Sequence, residues 1–238
     1  TGHATKHYIA NTLSWFQYMR GEIPDYPERI LDMNLTLIDN QLLKMRSKTG
    51  APRGWDNYDP ATSDIEVGLD LRVDGYQIHA WQEFNPVYFE GLAQMIFGGP
   101  MHISHGGLQH GKVRPFDGQK KRTGLPDDVA MIVEKVSATS VEMQVANISA
   151  SASHTLVLQA GTFGEHNFTK VSVVQSDGKS EDVAINDKWF EIELGPNSGA
   201  TLKFTLDRYV NSPTYETPWQ SRNDWDAVIK GRPAANFN

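Results

Sequence analysis

Apolar residues recur along this chain with two different periods, and the change between them falls near its middle. Over about residues 7–20, Ile9, Leu13, Trp15, Phe16 and Met19 return at helical spacing, and Gly21 with Pro24 ends the run. A second helix is marked more clearly. Asp25 suits its N-terminal cap, Pro27 its first turn, and Glu28 its positive end. Leu31, Leu35, Ile38, Leu42 and Met45 then step by four and three, which predicts one buried stripe centred on Leu35. The short connection predicts that the two helices form an antiparallel hairpin. Asn85-Pro86 opens a third helix with Phe89, Leu92, Ala93, Ile96 and Phe97 inward, and Gly98-Gly99-Pro100 stops it.

From Val129 the period is two. Val141, Met143 and Val145 alternate with polar neighbours, as do Leu156 and Leu158, then Val171 and Val173. The alternation is cleanest at Phe190–Leu194 and Leu202–Leu206. Turn residues at Ser176-Asp177-Gly178, Asn186-Asp187 and Gly195-Pro196-Asn197 divide the region, so about seven strands are expected over Val129–Tyr209. The predicted fold is α+β: an N-terminal helical segment followed by a C-terminal antiparallel β-sandwich. The expected division is a helical part at 1–100, a glycine- and histidine-rich junction at 101–128, the sandwich at 129–209 and a tail at 210–238. That tail carries Trp219 and Trp225 without a period, and is expected to pack back on the protein or on a partner.

Composition narrows the function classes. Among 238 residues, 22 Lys and Arg face 29 Asp and Glu, giving a net charge of −7. A surface of that sign repels phosphate backbones, and no basic run interleaved with aromatics occurs, so nucleic acid is excluded as a partner. The lack of cysteine removes disulfides and thiolate chemistry and leaves the compartment open. No apolar run is long enough for a helical membrane span. The chain opens at Thr1 within a helical pattern, which leads to the expectation of further polypeptide or a second subunit beside it.

Three stretches carry candidate chemistry. The spacing His102-x2-His105-x4-His110 offers imidazoles to a zinc or iron ion. In an extended segment His102 and His105 point to opposite faces, so ligation requires Gly106-Gly107 to turn the chain back. A glycine-rich hairpin with hydrogen-bonded histidines explains the same residues, and no metal ligand and no cofactor is assigned. The aperiodic loop at 53–82 combines Trp55 and Tyr58 with Asp56 and Asp59; sugar rings stack on such aromatic platforms, and carboxylates perform glycoside hydrolysis. Glu165-His166-Asn167, after Gly161-Thr162-Phe163-Gly164, places a carboxylate beside an imidazole. Neighbours in a strand point apart, so a loop packed against the helical part is the simpler account of it.

A helical segment ending in Gly98-Gly99-Pro100 and the alternating runs at Phe190–Leu194 and Leu202–Leu206 resemble the C-terminal part of bacterial carbohydrate-active enzymes. The resemblance is architectural and brings no residue roles. It implies the C-terminal portion of a glycan-processing hydrolase or lyase acting on an oligosaccharide or polysaccharide. The alternatives are a non-catalytic assembly subunit and a histidine-ligated metalloenzyme. On residue type and position, the site is expected between the helical part and the sandwich. Glu83, Asp56 and His105 are the catalytic candidates; Trp55, Tyr58 and His110 are the substrate-binding ones.

Overall fold

The computed structural model describes residues 14–46, 86–99, 110–175 and 178–220. The chain divides into two compact units, one made of residues 25–92 and the other of the flanking segments.

In the first of these, helix α1 (Tyr26–Arg46) follows Asp25, whose carbonyl accepts the Arg29 N–H at 3.2 Å. Its buried face differs from the expected stripe. Tyr26, Ile30, Asn34 and Gln41 are buried, whereas Leu35 is 61% exposed. The Met45 side chain lies outside the described set. The sequence period was right and its phase was not, because polar Asn34 and Gln41 have partners that make their burial inexpensive. Asn34 Oδ1 accepts the Gly91 N–H at 3.1 Å, and Gln41 Nε2 donates to Tyr88 Oη at 3.4 Å. Gly91 is needed for this approach: a Cβ there would stand 2.6 Å from Ile30 Cγ1.

Helix α2 (Glu90–Phe97) starts four residues after Pro86 rather than at it. Ala93, Gln94 and Met95 are buried, while Phe89 and Leu92, expected inside, are about half-exposed at 45% and 47%. Gly98 closes the helix in a left-handed conformation, φ 61°, its N–H bonded to Gln94 O at 3.0 Å. The same glycine abuts the sandwich, where a Cβ would meet Val133 at 2.9 Å.

The sandwich has two antiparallel sheets. Seven strands fill the predicted region: β3 (Val129–Val136), β4 (Ser140–Asn147), β5 (His154–Ala160), β6 (Asn167–Gln175), β7 (Ser180–Asp187), β8 (Trp189–Leu194) and β9 (Ser198–Asp207). Two more precede them, β1 (Val113–Asp117) and β2 (Arg122–Thr123). One sheet runs β2-β1-β5-β8 and the other β3-β4-β9-β6-β7. Inner-face residues of both meet in one core, including Val113, Leu156 and Leu158 from one sheet and Met143, Leu202 and Phe204 from the other. Phe204 stacks on Phe168 at 4.2 Å and meets Phe190 edge-on at 5.2 Å. The α+β class and the antiparallel sandwich are thus as the two periods required.

The outer face of the smaller sheet is also covered. Phe116 and Gln159, both outward, are fully buried. Trp189 and Trp219 pack edge-on against Phe116 at 5.6 and 5.8 Å, so residues following β9 return across this face.

Candidate functional site

The loop joining β5 to β6 crosses between the sheets, and its backbone is pinned from both sides. Gln159 Nε2 donates to Gly161 O and Thr162 O at 3.0 and 2.8 Å. Gly161 N–H donates to Lys112 O at 2.8 Å, and Lys112 N–H to Phe97 O at 2.8 Å. Gly161 and Gly164 hold φ of 84° and 68°, conformations that L-side chains avoid. This turn, not a strand, carries Glu165 and His166. The objection that strand neighbours diverge therefore does not apply.

Both side chains are buried, and Glu165 Oε1 lies 3.7 Å from His166 Nε2, an electrostatic approach longer than a hydrogen bond. Glu165 Oε2 accepts the Phe163 N–H at 2.8 Å. The carboxylate lies over the bare Cα of Gly161, where a Cβ would stand 2.4 Å from Glu165 Cδ. His166 Nδ1 accepts the backbone N–H of Tyr209 at 3.0 Å. Burial depresses the His166 pKa below the ordinary imidazole range; Lys112 and Arg208 add to this and Glu165 opposes it. The ring is neutral at pH 7, with its proton on Nε2, the nitrogen facing Glu165.

These two residues border a cavity of about 320 Å³. Trp15, Phe16 and Tyr209 supply aromatic wall, Lys112 and Arg208 supply cations, and Ser137 a hydroxyl. Trp15 and Phe16 pack edge-on at 5.1 Å, and the buried Trp15 Nε1 finds no acceptor among the described residues. Tyr209 stands edge-on to His166 at 4.8 Å, with the Arg208 guanidinium 5.0 Å above its ring. Burial lowers the Lys112 pKa, helped by Arg208 and opposed by Tyr209 and Glu165.

Of the candidates from sequence, exposed His110 lies on the wall of this cavity. Glu83, Asp56, His105, Trp55 and Tyr58 lie outside the described residues, as do His102, the loop at 53–82 and the end of the tail from 221. Among the described residues no three His, Asp or Glu side chains group as a metal site. Sequence reading passed over Lys112, Arg208 and Tyr209. The remaining signal was Gly161-x2-Gly164 just before Glu165-His166, two glycines that permit a turn where the strand pattern stops.

A family model described as a domain of unknown function, DUF8034, matches residues 1–93, upstream of every described strand. No curated protein matches the chain. A putative α-N-acetylgalactosaminidase from Bacillus halodurans is similar at 17% identity and a TM-score of 0.26, over 34% of this chain and 19% of that one. KdgF from a Halomonas species is similar at 11% identity and a TM-score of 0.16, over 39% of this chain and 94% of that one. The chain thus spans 19% of the length of the first of these structures. At such scores the likenesses carry no argument about residues or reaction.

Proposed function

We propose that the chain is part of a glycan-processing hydrolase or lyase and that the cavity beside Glu165 and His166 binds sugar. The observation that carries this reading is the cavity itself. Its volume of about 320 Å³ falls at the lower end of small-ligand sites, roughly 300–1,000 Å³. Aromatic rings from Trp15 and Tyr209 offer apolar surface to a pyranose face, while Glu165, Ser137 and His110 offer polar groups to its hydroxyls. A buried carboxylate close to a neutral imidazole is an acid/base pair in residue type. Glycoside hydrolysis uses two carboxylates, and the described lining of the cavity holds one. From residue type alone, and apart from this cavity, Glu83 or Asp56 is proposed as an acid/base group, His105 as a polarising group, and Trp55 and Tyr58 as a sugar platform.

The test is a glycan screen on the full chain, read by reducing-end release, by ultraviolet absorbance of unsaturated products and by calorimetric binding. A ligand or substrate whose affinity falls at least about tenfold in Glu165→Gln or Tyr209→Ala, with the fold intact by circular dichroism, supports the reading. A glycan bound or turned over equally well by both variants moves the site elsewhere.

A further inference from the structure

Charge around the cavity is opposite in sign to the protein as a whole. The chain carries −7, yet Lys112 and Arg208 both line a cavity whose described wall contains one carboxylate, Glu165. Several other described cations find carboxylates: Lys120 and Arg122 meet Asp127, Lys135 and Lys203 meet Glu142, Lys170 meets Asp182, and Lys188 meets Glu216, whereas Arg114 donates to the Thr162 carbonyl. Among the described residues no such ion pair holds Lys112 or Arg208. Glu165 does not serve them in that way: one of its oxygens takes the Phe163 N–H and the other faces His166 Nε2. Within the described lining, two cations and one carboxylate leave one positive charge uncompensated, and the neutral imidazole adds none.

We infer that the cavity takes a sugar carrying one carboxylate, a uronic acid residue, held through Lys112 and Arg208 while its ring lies against Tyr209 and Trp15. This rests on the sugar-binding reading above and deepens it. An arriving carboxylate compensates the uncompensated charge with charge-assisted hydrogen bonds, which are about twice as strong as neutral ones. Burial that disfavours the bare Lys112 ammonium is relieved by the same anion. The single net charge matches a carboxylate better than a phosphate dianion, whose second charge would face Glu165.

Calorimetry on the full chain tests this with three probes: uronic acid trisaccharides (galacturonate, mannuronate, guluronate), the neutral galactose and mannose trisaccharides, and inorganic phosphate. The expected result is that at least one uronate binds at least about tenfold more tightly than its neutral counterpart. Its affinity should drop about tenfold in Lys112→Met and in Arg208→Met, and fall as sodium chloride is raised. Lys112→Arg keeps the charge and should keep most of the affinity, which separates loss of the cation from loss of packing. Equal affinity for neutral and acidic sugars would overturn the inference and leave sugar binding standing. Binding of phosphate alone, or of none of the probes, would overturn both.

Discussion

Tyr209 donates its backbone N–H to Nδ1 of His166 at 3.0 Å, and this bond decides which nitrogen of a buried imidazole carries the proton. Tyr209 follows the last strand and His166 lies on the β5–β6 turn, so one hydrogen bond ties the segment after β9 to the candidate site. Protonating Nδ1 would set two N–H groups against each other.

Stability therefore depends on pH in a window set by His166. Its pKa is lower folded than unfolded, so the unfolded chain binds the proton first. The contribution is full above the unfolded value of about 6.5 and is lost as pH falls through the lower folded value. Urea midpoints should decline below about pH 6.5. His166→Asn, which keeps an acceptor for Tyr209 and does not titrate, should flatten that decline. Loss attributable to Asp127 and Asp182, whose pKa values their Lys and Arg partners depress, should begin only below about pH 4.

Gly161→Ala should cost about 2–5 kcal/mol, combining left-handed backbone strain with the overlap on Glu165. Gly124→Ala is the control: its φ is 98° and a Cβ there meets no atom within 4 Å. That variant should lose about 1–2 kcal/mol, the backbone cost alone. Equal losses in the two would show that the Glu165 carboxylate moves aside without penalty.

Phe204→Ala should destabilise by about 3–5 kcal/mol, since the ring is buried between Phe168 and Phe190. Leu35→Ala should change stability by no more than about 0.5 kcal/mol because that side chain is largely exposed. Denaturation midpoints of both variants, measured together, check the register of the sandwich and the phase of α1.

Asn211 is the second tie between tail and site. Its Nδ2 lies 3.1 Å from Gly164 O, 3.1 Å from His166 O and 2.7 Å from Asn167 Oδ1. Asn211→Ala should cost about 1–3 kcal/mol and should raise hydrogen exchange selectively at the amides of Phe163 and His166. Uniform exchange across all strands would indicate general destabilisation instead.

Periodicity alone was enough for the class of fold and for seven strands over Val129–Asp207. A strand with one face in a core must alternate, and Val141-x-Met143-x-Val145 or Leu202-x-Phe204-x-Leu206 has no other way to bury its apolar residues. Asn186 and Asn197, with φ of 56° and 48°, stand at turns legible from residue type. Strand β1 escaped notice because Pro115 interrupts its pattern and because Phe116, on the outer face, is buried by Trp189 and Trp219 from distant sequence. The phase of α1 was likewise tertiary: it depends on a Gly91 amide and a Tyr88 hydroxyl reached across 57 and 47 residues. The candidate site shows the same division. Glu165-His166 could be found as a polar pair in the sequence, but only the folded chain gathers Lys112, Arg208, Tyr209 and Trp15 around it. Local pattern reports what each segment must bury, whereas charge balance and proton position depend on segments that meet only when the sheets close.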